Sequence, residues 1–290
     1  MIISRITSGL GNQLFQYAVA RHLSLKNKTS LYVDLSYYLY QYHDDTSRNF
    51  KLGNFSVPYH TLQQSPVEYV SKATKLLPNR SLRPFFLFQK ERQFHFDEQI
   101  LQSRAGCVIL EGFWQSEAYF RDNADTIRRD LQLSGTPSPE FNQYRELIRE
   151  TPMSVSIHVR RSDYVNHPEF SQTFGFVGID YYKRAIELAR KELANPRFFV
   201  FSDDKEWSKT NLPLGEDSVF VQNTGLNGDV ADLVLMSHCQ HHIIANSSFS
   251  WWGAWLNPNA GKLVITPKNW YKNKPAWNTK DLLPPTWLSI

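Results

Sequence analysis

Cysteine is scarce in this chain, which has two among its 290 residues, Cys107 and Cys239. Two distant cysteines cannot form the disulfide framework of a small secreted protein, so we expect a reducing, intracellular setting. Net charge is also small, because 32 basic and 28 acidic residues leave a formal charge of +4. This excess disfavours a protein that binds nucleic acid mainly through phosphate contacts.

Long apolar runs are missing as well. No stretch approaches the roughly 20 apolar residues that a membrane span needs. The first residues include Arg5 and lead directly into a glycine turn, so they lack the apolar core of a signal peptide. We therefore expect a cytoplasmic protein. Aromatic residues, by contrast, reach 14% of the chain. The helical spacing of Trp251, Trp252 and Trp255 favours an aromatic core over a sugar-stacking platform.

The alternation of strand and helix patterns predicts an α/β protein with two domains. Strand-like residues 2–6, a glycine turn, helical spacing over 13–26 and strand-like residues 31–34 form a β-α-β opening, which predicts a parallel sheet. A second series of strands and helices follows residue 140. The linker-like sequence at 134–139 separates the two series. We predict an N-terminal domain at 1–139, a C-terminal domain at 140–290 and a cleft between them.

Polar side chains follow three apolar strands of the second half, where open α/β sheets bind ligands. They are His158, Arg160, Arg161 and Asp163 after the first strand, Asp203 and Asp204 after the second, and Ser247, Ser248 and Phe249 after the third. Paired arginines suit phosphate or carboxylate, and a serine-lined helix start suits phosphate. The paired acids suit a metal or the hydroxyls of a sugar or base.

Each of these groups also has an ordinary structural interpretation. The arginines and Asp163 form a salt-bridge cluster in that view, and the serines and acids cap helices. Taken together, however, three neighbouring strand ends with this chemistry predict one site for a nucleoside diphosphate. Cations and amides would bind the pyrophosphate, and acids would bind the sugar or base.

Two further motifs suggest other functions. The turn with Gly9, Gly11, Asn12 and Gln13 follows a strand and opens a helix, as in an NAD-dependent oxidoreductase, but Leu14 occupies the third glycine position of that fingerprint. A glycine turn that lets another molecule approach the backbone is the favoured interpretation.

The second motif is a group of possible metal ligands, namely His238, Cys239, His241 and His242. His238 and His242 have the spacing of a metal-binding helix, but no glutamate base lies between them. Because the next strand is predicted to begin at His242, a packed helix end is favoured over a metal site.

Four segments of the chain occur in the same order in bacterial α-1,2-fucosyltransferases, which this sequence therefore resembles. They are SGLGNQLFQYA, HVRRSDY, FSDD and NSSFSWWGAWLN. EGFWQSEAYF and the ending PKNW…LPPTWL are also similar to that family, so the resemblance covers nearly the whole chain. Ser8 and Ser162 stand where the family usually has glycine.

The resemblance implies a GT-B-like fold of two Rossmann-like domains, the acceptor side in the first and GDP-fucose in the second. It implies an inverting enzyme of O-antigen or oligosaccharide biosynthesis, with a terminal galactoside as acceptor and no metal or other cofactor. The resemblance also implies a role for each site residue. Arg160 and Arg161 would clamp the diphosphate, His158 and Asp232 would contact the guanine, and Asp203 and Asp204 would lie near the base or ribose. Ser247 and Ser248, next to Phe249, would bind phosphate, and Gly9, Gly11, Asn12 and Gln13 would form a cleft loop.

Several alternatives stay open. Asp163 is the first candidate for a general base, with His167, Glu169 or no dedicated base as alternatives. Another regiochemistry, such as α-1,6, or a non-catalytic glycan-binding module would also fit the chain. The basic, aromatic segment from Lys72 to Arg92 predicts either peripheral contact with a membrane surface or packing through its phenylalanines.

Overall fold

The computed structural model describes residues 1–39, 48–62, 85–272, 274 and 277–290. It divides into a first unit, Met1–Ser134 with Trp277–Pro284, and a second unit, Gly135–Ala276 with Pro285–Ile290. The division therefore comes five residues before the predicted boundary, and the segment 277–284 belongs to the first unit rather than to the second. Contacts within the first unit explain this difference. The Trp277 ring lies 4.2 Å from Phe94, and the Asp281 carboxylate accepts the Phe96 N–H at 3.1 Å.

The first unit is built on a parallel sheet with the strand order β3-β2-β1-β5-β4. Its elements are β1 (Ile2–Arg5), α1 (Leu10–Asn27), β2 (Leu31–Asp34), α2 (Ser36–Leu39), β3 (His60–Leu62), β4 (Phe86–Lys90), α3 (Glu98–Leu101), β5 (Cys107–Glu111) and α4 (Ala124–Asp130), with 3₁₀ turns at Leu52–Asn54, Glu117–Tyr119 and Arg121–Asn123. Helix α1 begins three residues before the predicted start, because Gly9 in an extended conformation is its N-cap. Gly11, Asn12 and Gln13 therefore lie in the first turn of a helix.

The second unit has a parallel sheet with the order β8-β7-β6-β9-β10-β11. Its elements are α5 (Pro139–Arg149), β6 (Ser154–Val159), α6 (Ser162–Asn166), α7 (Pro168–Thr173), α8 (Ile179–Glu192), β7 (Arg197–Ser202), α9 (Lys205–Asn211), β8 (Val219–Phe220), α10 (Gly228–His238), β9 (His241–Ile243), α11 (Ser248–Leu256), β10 (Val264–Thr266) and β11 (Leu288–Ser289). The prediction of two α/β domains with parallel sheets is confirmed.

The strand order locates the place where each unit can bind a ligand. In the second unit the order of the strands reverses between β6 and β9, as in nucleotide-binding doubly wound sheets, and ligands bind such sheets at the carboxyl ends of the strands beside that point. In the first unit the reversal lies between β1 and β5. Residues after β6 and β9, and after β1 and β5, are therefore the candidates.

The late tryptophans form core rather than a platform. Trp251 and Trp252 are fully buried, and Trp255 is nearly so. Gly253 lets α11 approach α10 closely, because a Cβ there would lie 2.9 Å from the Met236 Cβ. The tryptophan side chains of α11 therefore pack within the core of the second unit.

The histidine motif is divided between two elements. His238 ends α10, whereas His242 lies in β9, so the two do not share a helix. The buried His242 ring is hydrogen-bonded with Ser156 and with Asn257, both at 2.8 Å. Burial lowers the pKa of His242 well below its ordinary value, so the ring is a neutral core group. Across the described part of the chain, no three His, Cys, Asp or Glu side chains form a group that could hold a metal ion.

The predicted membrane-contact segment is described only in part, because residues 72–84 lie outside the described residues. Its end forms β4, an edge strand of the first sheet. Phe85 and Phe86 are exposed, while Phe88 packs against the core residues Ile3 and Ile109. In the described ranges, no helix combines the length and the apolar character needed to cross a bilayer.

Candidate active site

The charged cluster after β6 begins where a fully buried strand reaches the surface. All six residues of β6 are buried, whereas Arg160 and Arg161 are partly exposed. The Arg160 guanidinium pairs with Asp163 and, at 3.2 Å, with Asp203. Arg161 pairs with Asp204 at 2.5 Å and stacks 5.1 Å above the centre of the Trp207 ring. Each guanidinium has five N–H donors, so each can bind a ligand as well as these acids.

Asp203 and Asp204 are the partners of the arginine pair. Parallel pairing aligns Val159 of β6 with Ser202 of β7, which brings the residues after both strands together. The Asp203 carboxylate also accepts the backbone N–H of Arg161 at 2.9 Å, and Asp204 caps α9. The resemblance implied a place near the base or ribose for these acids. In the structure their carboxylates orient Arg160 and Arg161.

Arg160 keeps its charge in this setting. Burial acts to lower the pKa of Arg160, but the nearby carboxylates of Asp203 and Asp163 outweigh burial and hold the pKa above its ordinary value. The cluster therefore presents a permanent cation at the point where the sheet order reverses.

His158 and Phe249 meet across the same point, with ring centres 5.3 Å apart. Burial, aided by the charge of Arg160, lowers the pKa of His158 to about 3, so this ring is neutral at working pH. Its Nδ1 atom is buried and has no hydrogen-bond partner within the described residues. Buried polar atoms are nearly always paired, so this nitrogen is suited to a ligand.

The loop after β9 leads into the N-terminus of α11. Ser247 is the N-cap, and its hydroxyl accepts the Phe249 N–H at 3.3 Å. The buried Asn246 amide fixes the loop by donating to the carbonyls of Phe174, Gly175 and Trp270 at 3.1–3.2 Å. Ser248 opens the helix, whose first N–H groups and dipole favour an anion.

Asp232 on α10 is a partly buried carboxyl that the cluster above does not use. Burial raises the pKa of Asp232 to about 6, although a hydrogen bond from Asn223 at 2.6 Å opposes the rise. The buried Asn223 Oδ1 atom has no partner among the residues that the structure describes. Asn223 was not predicted, and its only sequence signal is its place shortly after β8.

In the first unit, Gln13 of the predicted cleft loop holds the backbone of its own unit. Its side chain is fully buried. Its amide donates to the carbonyls of Ser8 at 3.0 Å and Asn49 at 2.9 Å, and it accepts the Lys51 N–H at 2.8 Å. Gln16, one turn later, likewise binds Thr7 and donates to the Gly112 carbonyl.

Asn12 is partly exposed and lies with Gly11 in the first turn of α1, directly after the N-cap Gly9. Asn12 accepts a hydrogen bond of 2.7 Å from Gln115, which follows β5. A Cβ on Gly9 would lie 3.9 Å from the Arg48 side chain. Ser8 has a left-handed backbone with φ 62°, which explains why a glycine suits this position. Sequence reasoning missed Gln115, although it lies within EGFWQSEAYF.

The predicted site residues thus form two groups. Those from His158 to Phe249 lie in the second unit, mostly at the β6–β9 reversal. Gly9, Gly11 and Asn12 lie in the first unit at the β1–β5 reversal.

Comparisons with known proteins agree with the motifs. The profile "Glycosyl transferase family 11" matches residues 1–290. The chain is 30% identical to the O-antigen biosynthesis glycosyltransferase WbnK of Escherichia coli, with 99% of each chain covered. It is 33% identical to an alpha-1,2-colitosyltransferase of Escherichia coli, covering 100% of this chain and 99% of that one. Mouse galactoside 2-alpha-L-fucosyltransferase Sec1 is 24% identical over 88% of this chain and 64% of its own length.

Solved structures of fucosyltransferases share the fold. NodZ alpha-1,6-fucosyltransferase soaked with GDP-fucose aligns with a TM-score of 0.51 and 16% identity, over 89% of this chain and 92% of that one. A mutant of Arabidopsis thaliana FUT1 in complex with GDP aligns with a TM-score of 0.52 and 14% identity, over 94% of this chain and 72% of that one. The predicted GT-B-like fold class is confirmed, and the chain belongs to glycosyltransferase family 11.

Proposed function

We propose that this glycosyltransferase is an inverting galactoside α-1,2-L-fucosyltransferase that needs no metal ion. It transfers fucose from GDP-β-L-fucose to the 2-hydroxyl group of a terminal galactose on an oligosaccharide. The observation that carries the proposal is the position of Arg160 and Arg161, oriented by acids, beside the N-terminus of α11 where the sheet order reverses. We assign binding of the base to the neutral His158 ring, the Asn223 amide and the Asp232 carboxylate, and we assign the first unit to the acceptor.

The reaction needs stabilisation of a departing diphosphate. The acceptor oxygen forms a bond to C1 of fucose while the bond from C1 to the β-phosphate oxygen breaks, and its electron pair leaves with GDP. Attack from the opposite face converts the β-linked donor into an α-linked product. Arg160, Arg161 and the N–H groups at the start of α11 stabilise the added negative charge, which is the role a metal ion has in other transferases.

The acceptor proton must also leave. Asp163 was the first candidate for a general base, but its carboxylate pairs with Arg160, so we assign it to orienting that arginine. His167 stacks on Phe170 with ring centres 4.5 Å apart, and Glu169 is exposed. The His167 Nδ1 atom is buried and has no hydrogen-bond partner within the described residues. We propose a late deprotonation without a dedicated base.

A second donor is favoured by one of the relatives. The 33% identical relative is named an alpha-1,2-colitosyltransferase. Colitose is fucose without its 3-hydroxyl group, so GDP-colitose would place the same diphosphate on the same arginines. The two donors differ in one hydroxyl contact, which a transfer assay can measure.

The transfer assay tests reaction, donor and metal together. The chain is incubated with EDTA, a galactose-terminated oligosaccharide and either GDP-sugar. We expect fucose on O-2 of galactose by linkage analysis, and a kcat/KM for GDP-L-fucose at least about tenfold above that for GDP-colitose. The reverse ratio would assign the second donor. Product on O-6 would contradict the regiochemistry, and activity lost in EDTA but restored by Mn²⁺ would contradict metal independence. GDP-independent glycan binding without turnover would favour the binding module.

GDP binding should depend on pH through Asp232. The N1–H and amino groups of guanine are donors, and an ionised carboxylate accepts from both more strongly than a protonated carboxyl group does. Because the pKa of Asp232 is raised to about 6, protonation removes that acceptor as the pH falls. We expect calorimetry to show GDP affinity falling by about tenfold from pH 7 to pH 5 through this group.

The phosphates of GDP titrate in the same range, so the matched control is Asp232→Asn. This variant keeps the size of the side chain and removes its titration. We expect weaker binding at pH 7 and a shallower pH dependence than in the wild type. If GDP affinity depends equally on pH in the variant and in the wild type, Asp232 does not bind the base.

A further inference from the structure

The loop after β5 in the first unit, residues 112–115, is held by an internal carboxylate. Glu91 follows the edge strand β4, and its two carboxylate oxygens accept the backbone N–H groups of Phe113 at 2.7 Å and Trp114 at 3.0 Å. Successive N–H groups that converge in this way form an anion-binding nest. Here the anion belongs to the chain itself.

The loop needs this support, because its backbone is strained. Trp114 has a left-handed conformation with φ 56°, which is unfavourable for a bulky residue. Gly112 makes room for the carboxylate, since a Cβ there would overlap Glu91. Burial raises the pKa of Glu91, and the two N–H donors oppose that rise. Glu91 is partly buried, and its two hydrogen bonds to the backbone fix this loop.

The loop in turn aligns Asn12. Directly after Trp114, the Gln115 side chain is buried and donates its amide N–H to the Asn12 Oδ1 atom at 2.7 Å. With that oxygen engaged, the Asn12 amide turns its N–H groups away from Gln115. Asn12 lies in the first turn of α1, at the reversal point of the first sheet where a ligand is expected.

We propose that Glu91 and Gln115 are positioning residues that fix Asn12 as a hydrogen-bond donor toward a substrate oxygen. Glu91 sets the loop, the loop delivers Gln115, and Gln115 selects one orientation of the Asn12 amide. This inference rests on the proposed function, in which Asn12 faces a substrate, and it adds two residues that act through Asn12 without touching the substrate themselves.

The test compares Glu91→Gln and Gln115→Glu, alone and combined. The first keeps size but replaces one acceptor oxygen by a donor facing a backbone N–H. The second puts a carboxylate beside Asn12, which draws the Asn12 NH₂ group toward it and reverses the amide. We expect each variant to lower kcat by about tenfold or more, since small misplacements of a reacting group have such effects. KM for the GDP-sugar should change by less than about threefold.

The combined variant should be no slower than the slower single variant, because both changes act through Asn12. The matched control is Glu111→Gln, a nearby carboxylate at the end of β5 that pairs with Arg5 and Lys90. It should retain kcat within about twofold. A kcat near that of the wild type in folded Gln115→Glu, or independent effects that multiply, would overturn the proposal. If Glu91→Gln fails to fold, Gln115→Glu alone decides.

Hydrogen exchange separates this inference from the proposed function. In Glu91→Gln, amide exchange should become faster both at residues 112–116 and at residues 10–13, whereas Glu111→Gln should leave both segments unchanged. Unchanged exchange at 10–13 would overturn the coupling. If the wild-type chain transfers no sugar from any GDP donor, the proposed function fails, and the exchange result still decides whether Glu91 and Gln115 hold Asn12.

Discussion

Replacing Arg160 with alanine is expected to lower kcat for sugar transfer by about a thousandfold or more, the range found for arginines that stabilise a transferred or departing phosphate. Arg160 is the central cation of the cluster, because it pairs with both Asp163 and Asp203. Its loss removes positive charge where the leaving diphosphate gains negative charge. Arg160→Lys keeps the charge but loses the planar fork, so we expect a loss of about a hundredfold.

The same variant should also be less stable. Without Arg160, two partly buried carboxylates lie close together without their shared cation, which we expect to cost about 1–3 kcal/mol of unfolding free energy. Denaturation and activity must therefore be measured together, at a temperature where the variant is fully folded. Turnover close to wild type in the folded variant would contradict the role of Arg160 as a diphosphate clamp.

Arg197 provides the matched control for Arg160. It lies in the same sheet but at the amino end of β7, where it donates to the Asp217 carbonyl at 2.8 Å and stacks on Phe199. Ligands bind at the other end of such sheets. Arg197→Ala should therefore leave kcat within about twofold of wild type, with a loss of about 1 kcal/mol in stability.

Gln13→Leu is expected to destabilise the chain by about 3 kcal/mol or more, because buried backbone groups lose their partners. Leucine fills a similar volume but cannot donate to the Ser8 and Asn49 carbonyls or accept the Lys51 N–H. The Ser8 carbonyl retains the Tyr38 hydroxyl at 2.9 Å, so the main cost arises at residues 49–51. Chemical denaturation followed by tryptophan fluorescence measures the loss.

Two further measurements help to explain the loss of stability in Gln13→Leu. Gln89→Leu in the same unit removes a single hydrogen bond, to the Ser103 hydroxyl at 2.9 Å, and should cost about 1 kcal/mol. Calorimetry should show that folded Gln13→Leu still binds GDP, because the proposed base and phosphate contacts lie in the second unit. Normal stability with a raised KM would instead mean that Gln13 contacts a substrate.

The sequence by itself determined the family and the kind of chemistry. Apolar periodicity reports local burial, so it located the inner strands of both parallel sheets and the polar residues that follow them. It did not locate the outer strands β3, β4, β8 and β11. The motif around Arg160 and Arg161 predicted a phosphate site, and the helix of Trp251, Trp252 and Trp255 was predicted as core. Each of these inferences depends on neighbours along the chain.

The tertiary structure alone decided which strand ends meet and what each side chain binds there. Asp203 and Asp204 became partners of the arginines because β6 and β7 pair in a particular register. Gln13 forms hydrogen bonds with the backbone of Asn49 and Lys51. Residues 277–284 belong to the first unit. Gln115 reaches Asn12 because β5 lies beside β1. Strand pairing joins residues that are distant in sequence, and a local pattern carries no record of that pairing.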